Sequence, residues 1–246
     1  MPRFFINTPP VDGMITIYGE DAMHIGRSLR ARIGDEIVFC REGRDYLCKI
    51  EVFTKDSVSC RIYSEKPTLS EPSVKLTLYI ALPKGDKAET VIQKCIELGA
   101  YKIVFFESER CVAKFGDAEK SASKLTRLKK IALEAAKQSG RGLVPQVAFE
   151  STFEKAAERF CSSSLPLLCY ENVGGDSHRL PELSEKIASA KDISVMTGSE
   201  GGFSMTEAET LTEKGAVKIW LGERILRCET APIALTAIIM NITGNL

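Results

Sequence analysis

The segment Thr197–Ser204, TGSEGGFS, is one of the two most informative stretches of this chain. It follows an apolar run, residues 193–197, whose length and branched side chains are typical of a buried strand. Its glycines allow a sharp turn and a close approach of the backbone to a ligand. Ser204 and Glu207 have the spacing of a capping box, which predicts that a helix begins directly after the loop. The segment therefore predicts a strand, a glycine-rich loop and a helix in succession.

A second glycine-bearing loop, Leu221–Ala231 (LGERILRCETA), lies nearer the C-terminus. It also follows an apolar run, and it precedes a predicted helix over residues 232–243. Pro232 is expected in the first turn of that helix, where its missing N–H costs little. Thr230 or Ala231 is expected to cap the helix.

The two loops together predict a crevice at the carboxyl edge of a parallel sheet, where open α/β sheets bind small cofactors. Apolar Ile225 and Leu226 in the second loop indicate that a flat apolar group, such as an adenine ring, packs there. Arg227 is expected either to face the ligand or to pair with Glu229 or Glu200. The dinucleotide fingerprint GxGxxG is absent. A plain turn stays open as an explanation of the first loop, because glycine turns are common.

The rest of the chain divides into two parts with different patterns. Residues 1–65 contain closely spaced short runs rich in valine, isoleucine and aromatic residues, which favours a small β-barrel. The polar segment 66–73, with two prolines, is typical of a linker. Strands then alternate with helices, which predicts a parallel sheet covered on both faces. We therefore predict a β-barrel domain over residues 1–72 and an α/β domain over residues 73–246.

Composition excludes little. The 246 residues contain 33 basic and 33 acidic side chains, so net charge predicts no class of partner, although a local basic patch would suffice for RNA. Eight scattered cysteines, without a CxxC pair and with only two histidines, predict no metal site and a reducing compartment. The N-terminus lacks the apolar core of a signal peptide, and no apolar stretch approaches the ~20 residues of a membrane span. A cytoplasmic protein without a membrane partner is expected.

Both loops resemble motifs of a known family. The first resembles GPEGGF-S and the second resembles LG-x-RILR-x-ETA, two motifs of the ribosomal RNA small-subunit methyltransferase E (RsmE) family of the SPOUT class. Further segments match that family in the same order: MPRFF at 1–5, His24, LRARIGD at 29–35, PKGDK at 83–87, QKCIELG at 93–99, SER at 108–110, EAAKQSGR at 134–141, and Pro145. Because the matches cover nearly the whole chain, the resemblance is specific.

The resemblance implies a PUA-like β-barrel that binds RNA, followed by a SPOUT α/β domain that contains a trefoil knot and forms homodimers. Periodicity and composition do not predict the knot, because chain connections rarely knot. The resemblance further implies that S-adenosylmethionine is the cofactor and that the reaction methylates N3 of a uridine in 16S ribosomal RNA. The expected partner is small-subunit ribosomal RNA or the assembled small subunit.

The resemblance also implies the residues of the site. Cofactor binding is expected from both loops, through Thr197, Gly198, Ser199, Glu200, Gly201, Gly202, Leu221, Gly222, Ile225, Leu226, Arg227 and Thr230. Uridine N3 carries a proton that must leave, so the reaction needs a base or a group that stabilises the anion. Arg227 is the expected stabiliser of negative charge on the base. Glu200 is the candidate base, with an anchoring role for the loop as the alternative.

RNA contacts are expected mainly from the N-terminal domain. The candidates are Arg3, His24, Arg27, Arg30, Arg32 and Arg141. Because acidic residues are interspersed among these arginines, a solvated surface of mixed charge is the alternative. For His24 the alternative is a structural role, since no carboxylate motif accompanies it.

Ser199 departs from the family motif, which has proline at this position. A serine there would leave an N–H and a hydroxyl free, so we expect retained cofactor binding with loop entropy higher by about 0.4–1 kcal/mol. Two other functions stay open. An enzyme that uses another adenine nucleotide would need a phosphate-cradling motif, and none is present. A non-catalytic RNA-binding factor in ribosome assembly would be consistent with the change at Ser199.

Overall fold

The computed structural model describes residues 1–171 and 177–246. They form two compact units, the first comprising Met1–Glu71 and Ala136–Val144 and the second comprising Pro72–Ala135 and Pro145–Leu246. The first unit thus includes a short segment, Ala136–Val144, that comes from the middle of the chain. A boundary placed from the proline-containing linker alone does not include that segment.

The first unit contains one five-stranded sheet. Its elements are β1 (Arg3–Phe5), β2 (Met14–Tyr18), helix α1 (Gly19–Met23) with a following π-helical turn (His24–Ser28), β3 (Glu36–Arg41), β4 (Arg44–Phe53) and β5 (Ser57–Pro67). The strand order is β1-β3-β4-β5-β2. β1 pairs with β3 in parallel, and the other pairs are antiparallel. These five strands confirm the β-rich character that the short apolar runs predicted for this part of the chain.

One apolar cluster holds this sheet together. Phe4, Ile25, Phe39 and Ile50 are each at most 2% exposed and belong to it. Two register shifts between β4 and β5 interrupt the regular pairing, and such bulges bend a strand. Among the described residues the edge strands β1 and β2 do not pair with each other, so the sheet is a half-barrel rather than a closed barrel.

The second unit is built around a seven-stranded parallel sheet. Its elements are β6 (Lys75–Ala81), α2 (Lys87–Glu97), β7 (Lys102–Phe106), α3 (Ala118–Gln138), β8 (Gln146–Phe149), α4 (Phe153–Cys161), β9 (Leu165–Cys169), β10 (His178–Arg179), a 3-10 turn (Leu180–Leu183), α5 (Ser184–Ser189), β11 (Asp192–Thr197), α6 (Met205–Glu213), β12 (Val217–Trp220) and α7 (Thr230–Ile242). The order is β10-β12-β9-β11-β6-β7-β8, with every pair parallel. The predicted alternation of strands and helices is confirmed.

Burial explains the position of β11 in the sheet. Five of its six residues are buried, as are five of the seven residues of β6 beside it. Strands covered on both faces by helices have this nearly continuous apolar pattern. The sequence did not predict the short strands β8 and β10, which have four and two residues and too little alternation to be recognised.

The strand order also separates the two glycine-bearing loops. One follows β11 and the other follows β12, and β9 lies between these strands. The carboxyl end of β9 therefore reaches the same edge of the sheet and adds a third segment to the predicted crevice. Strand order alone does not describe the path of the loops, so the trefoil knot stays a prediction.

The helices of the second unit differ in apolar character. α7 is strongly apolar but has only 13 residues, which span about 20 Å at 1.5 Å per residue. α3 has 21 residues, but charged side chains occur along it. Among the described residues, no helix is both long and apolar enough to cross a membrane.

Candidate functional site

A cavity of about 510 Å³ opens at the carboxyl ends of β9, β11 and β12. Ten of the twelve predicted cofactor residues line it: Thr197, Gly198, Ser199, Glu200, Gly202, Leu221, Gly222, Ile225, Leu226 and Arg227. Gly201 and Thr230 are not among the lining residues. The predicted crevice between the two loops is therefore present in the fold.

Several residues that line this cavity were not predicted from the sequence. Cys169, Tyr170 and Glu171 reach it from the end of β9, and Lys87 reaches it from the start of α2. Trp220, the only tryptophan of the chain, lines it at the end of β12. The Arg179 guanidinium lies 4.9 Å from the centroid of the Trp220 ring. Lys87 belongs to the PKGDK segment, but no local motif marks Cys169, Tyr170, Glu171 or Trp220, which meet through the order of the strands.

The first loop needs its glycines because backbone segments cross closely. A Cβ on Gly198 would lie 2.9 Å from the Cα of Gly202, a separation that real structures essentially never show. A Cβ on Gly201 would lie 2.9 Å from the Cβ of Arg110. The turn therefore does more than connect a strand to a helix. It packs against itself and against the loop that follows β7.

The capping box that the sequence predicted at the start of α6 is confirmed. The Ser204 hydroxyl accepts a hydrogen bond from the Glu207 N–H at 3.2 Å, and the Ser204 N–H donates to Glu207 Oε2 at 2.9 Å. The second oxygen of Glu207 accepts a hydrogen bond from the Glu109 N–H at 2.8 Å. This buried carboxylate thus fixes both the end of the glycine loop and the loop after β7.

Arg110 holds the first loop from the other side. Its Nη1 donates to the Gly201 carbonyl at 3.2 Å, and its own carbonyl accepts a hydrogen bond from Ser199 Oγ at 3.4 Å. Ser199 is only 6% exposed. The expectation that serine leaves a free hydroxyl was therefore wrong, because the hydroxyl is buried and directed to the Arg110 carbonyl.

A single ammonium joins the two loops. Lys87 Nζ lies 2.8 Å from Glu200 Oε1 in the first loop and 3.4 Å from Glu229 Oε2 in the second. The Lys84 N–H also donates to Glu200 Oε1, at 3.1 Å. Among the described residues these carboxylates pair with Lys87 and not with Arg227, which the sequence had offered as their partner.

The electrostatics of Glu200 follow from this pairing. Desolvation raises the pKa of Glu200, but the hydrogen bonds from Lys87 and from backbone N–H groups outweigh it and lower the pKa to about 2. Desolvation also raises the pKa of Glu229, but hydrogen bonds and the charge of Lys87 outweigh it, so the pKa is lowered. A carboxylate with a pKa near 2 is a weak proton acceptor at neutral pH. The geometry therefore favours the anchoring role of Glu200 over the role of a base.

Arg227 presents its side chain to solvent at the cavity. The residue is exposed, and among the described residues its guanidinium has no ion pair. Its carbonyl accepts hydrogen bonds from the Thr230 and Ala231 N–H groups at 2.8 and 3.1 Å, which fixes the backbone where α7 begins. Arg227 thus lines the cavity with no ion pair in the part of the chain that the structure describes.

The start of α7 differs from the prediction. Glu229 occupies the N-cap position, and no side chain caps the helix there, so the expected capping by Thr230 or Ala231 was wrong. Thr230 is the first helical residue and does not line the cavity. Pro232 lies in the first turn, as predicted.

Thr197 carries an unsatisfied hydroxyl. The residue is 2% exposed, it lines the cavity, and its Oγ1 has no hydrogen-bond partner among the described residues. A buried hydroxyl without a partner costs free energy of about 1–3 kcal/mol. Thr197 Oγ1 is therefore an orphaned polar atom on a residue that lines the cavity.

Two of the predicted RNA contacts are engaged inside the first unit. Arg3 Nη1 donates to Asp45 Oδ2 at 3.1 Å, and Arg3 Nε donates to the Arg141 carbonyl at 2.9 Å. Arg141 is 2% exposed and forms a two-point pair with Glu71, at 2.9 and 2.8 Å. These geometries assign both arginines to internal packing and argue against contact with RNA.

The other predicted RNA contacts lie on the surface of the first unit. Arg27, Arg30 and Arg32 are exposed, and in the part of the chain that the structure describes their side chains form no ion pair. His24 is exposed as well, and its ring meets the edge of Phe4 with the centroids 5.9 Å apart. Arg27 in the π-helical turn, and Arg30 and Arg32 just after it, are therefore available to a partner.

Family models match both parts of the chain. A model described as an RNA methyltransferase domain matches residues 70–240, and a model described as an RNA methyltransferase PUA domain matches residues 17–63. The first match alone covers more than half of the chain.

Individual proteins resemble the chain over most of their length. It is 36% identical to the ribosomal RNA small subunit methyltransferase E of Bacillus subtilis over 227 residues, which cover 91% of this chain and 88% of that one. It is 30% identical to the protein of the same name from Aquifex aeolicus, with 93% and 95% covered. The crystal structure of a Neisseria gonorrhoeae ribosomal RNA small subunit methyltransferase E bound to S-adenosylmethionine superposes with a TM-score of 0.87, at 28% identity and 98% coverage of both chains.

Proposed function

The chain belongs to the ribosomal RNA small subunit methyltransferase E family, and on that premise we propose that it methylates N3 of one uridine in small-subunit ribosomal RNA. Family membership makes it an S-adenosylmethionine-dependent methyltransferase of this RNA. The choice of uridine and of its N3 atom rests on the resemblance to the family.

The residues at the cavity fit the cofactor. The observation that carries most weight is the Thr197 hydroxyl, which is buried at the cavity and has no partner among the described residues. The volume of about 510 Å³ lies within the ordinary range for small-molecule sites. Gly198 keeps the backbone compact at this edge, while Trp220 and Leu226 provide apolar surface of the kind that an adenine ring packs against.

Methyl transfer requires alignment of the methyl donor with the nucleophile, and alignment supplies much of the rate. S-adenosylmethionine supplies the electrophilic methyl group when it is bound. The two loops hold the cofactor, and Glu200 fixes the first loop through Lys87 and the Lys84 N–H. Glu200 accordingly acts in this proposal as an anchor and not as the base.

Arg227 has the proposed catalytic role. Loss of the N3 proton leaves negative charge on the uracil ring, and a guanidinium beside the ring stabilises that charge. Its exposure at the cavity and its lack of an ion pair among the described residues support this role. The guanidinium is therefore available to the RNA base.

Arg27, Arg30 and Arg32 are proposed to contact the RNA, because exposed arginines provide phosphate contacts. The exposed imidazole of His24 is proposed to contact the RNA as a hydrogen-bond donor. A homodimer and a cytoplasmic location complete the proposal and rest on the resemblance alone. The assembly-factor alternative loses support because the chain belongs to a family of methyltransferases.

Tritium-methyl transfer tests the proposal. Purified protein is incubated with labelled S-adenosylmethionine and either free small-subunit ribosomal RNA or assembled subunits from cells that lack the gene. Label at N3 of a single uridine is the expected result. Label on another atom would refute the proposed site, and binding of RNA without transfer would favour the assembly factor. Thermal shift with S-adenosylmethionine, ATP and NAD provides the cofactor control.

A further inference from the structure

Lys87 is the first residue of α2 and lies at the point where the two cofactor loops approach each other. We propose that Lys87 is a positioning residue that locks the two loops together, so that cofactor affinity depends on its charge. The inference rests on the proposed function, since it assigns a role within the same site. Lys87 lines the cavity, whereas Glu229 does not.

The charges around Lys87 explain why its removal should open the site. Its ammonium lies 2.8 Å from Glu200 Oε1 and 3.4 Å from Glu229 Oε2, and it donates to Cys228 Sγ at 3.6 Å. Two carboxylates thus share one cation, and the three side chains are about one-fifth to one-third exposed. Without the ammonium, two like charges would face each other across the loops.

The connection continues from Glu229 to Arg227 in the second loop. Cys228 Sγ donates to Glu229 Oε2 at 3.2 Å, and Glu229 immediately precedes α7. The first two N–H groups of α7 donate to the Arg227 carbonyl. Fixing Glu229 therefore fixes the backbone of Arg227, two residues away, in relation to the first loop.

The hydrogen bond that Lys87 donates to Glu200 is the main cause of the raised pKa of Lys87. The pKa of Glu200 lies near 2. The ion pair between them therefore persists throughout the neutral pH range, and no protonation change in that range releases the loops. Lys87 acts in this arrangement as a permanent clamp.

Binding of S-adenosylmethionine to four variants by calorimetry tests the clamp. Lys87→Met keeps the aliphatic stem and removes the charge, and it should weaken cofactor binding about tenfold or more. Lys87→Arg should bind within about threefold of the wild type. Glu229→Gln should weaken binding, and adding it to Lys87→Met should cause no further loss, because Glu229 acts through Lys87. Additive losses would overturn the coupling.

Lys120→Met is the matched control, because Lys120 on α3 pairs at 3.1 Å with Asp117, which precedes that helix, and neither residue lines this cavity. It should leave cofactor affinity unchanged. Wild-type affinity in Lys87→Met, with an unchanged melting temperature, would overturn the inference. If Lys87→Met does not fold, equal affinities of Glu229→Gln and the wild type for S-adenosylmethionine would overturn the inference instead. A wild-type protein that fails to bind S-adenosylmethionine would instead refute the proposed function.

Discussion

The carboxylate of Glu207 accepts a hydrogen bond from the backbone N–H of Glu109 at 2.8 Å, although the two residues lie 98 positions apart. The same carboxylate closes the capping box with Ser204. Glu207→Ala removes the carboxylate that accepts from the buried Ser204 N–H and from the Glu109 N–H, and it leaves both groups without that partner. It should lower the free energy of unfolding by about 2–4 kcal/mol, measured by urea denaturation.

Two further variants separate this effect from a general loss of charge. Glu207→Gln keeps one accepting oxygen and should cost about half as much, because its amide NH₂ cannot accept the second hydrogen bond. Glu209→Ala changes an exposed glutamate on the same helix and should stay within about 0.5 kcal/mol of the wild type. Equal stability of Glu207→Ala and Glu209→Ala would show that the link to Glu109 contributes nothing.

Thr197→Val should separate folding from cofactor binding. The substitution replaces a buried hydroxyl that lacks a partner among the described residues with a methyl group of similar shape. The unliganded protein should be equally stable or more stable, whereas S-adenosylmethionine should bind about five- to tenfold more weakly. Trp220 lines the same cavity, so its fluorescence provides the binding signal.

Thr197→Ser is the control for this prediction, because it keeps the hydroxyl and removes only the methyl group. Its cofactor affinity should remain closer to that of the wild type than that of the valine variant. Unchanged affinity in Thr197→Val would mean that the hydroxyl finds no partner on the cofactor.

Ser199→Ala and Ser199→Pro should have different effects on stability. Alanine removes the 3.4 Å hydrogen bond to the Arg110 carbonyl and should cost about 0.5–1.5 kcal/mol. Proline loses the same bond but restricts the unfolded chain, which offsets about 0.4–1 kcal/mol of that cost. Thermal unfolding should therefore rank the wild type and proline variant close together, with alanine below. A proline variant less stable than alanine would show that the loop excludes proline.

The first loop shows how far local sequence carries the structure. Ser204 and Glu207 are three residues apart, so the capping box and the start of α6 could be predicted from their spacing. The glycines likewise predicted a close approach of the backbone. Lys87 could not be recognised in the same way, because it meets Glu200 across 113 residues and no local pattern records that pairing.

The lining of the cavity could likewise be predicted only in part, because it depends on the order of the strands. Apolar runs predicted β11 and β12, but periodicity within a run does not tell which strands are neighbours. The place of β9 between the other two brought Tyr170 and Glu171 to the cavity without any signal in their own sequence. Arg3 and Arg141 were assigned to RNA for the same reason, since their internal partners are distant in sequence.

RNA affinity should depend on the exposed arginines of the first unit. Replacement of Arg27, Arg30 and Arg32 by alanine should raise the KM for RNA and leave cofactor affinity unchanged. Each lost phosphate contact should reduce the slope of log affinity against log salt by about 0.7–0.9. Filter binding over a range of salt concentrations measures this slope.

Arg44→Ala is the control, because Arg44 is exposed in the same unit but paired with Glu65. It should change the salt slope little. Wild-type salt dependence in the triple variant would show that the RNA binds to a different surface.

Arg3→Ala should lower the melting temperature instead, since it leaves buried Asp45 without its cation.

Arg227→Ala tests the proposed catalytic role without disturbing the fold. The side chain is exposed, so thermal unfolding should remain within the range of ordinary surface substitutions, about 0.5 kcal/mol. Turnover should fall at least about 100-fold, the effect of removing one group that stabilises transition-state charge. Arg227→Lys should recover part of the activity, because the charge remains while the planar fork is lost.

Mass spectrometry of small-subunit ribosomal RNA tests the central claim most directly. RNA is compared from cells with the gene, from cells without it, and from deleted cells that express either the wild-type chain or Arg227→Ala. The account predicts one N3-methyluridine that disappears on deletion and returns with the wild-type chain but not with Arg227→Ala. A methylation map that is identical in the presence and absence of the gene would contradict it.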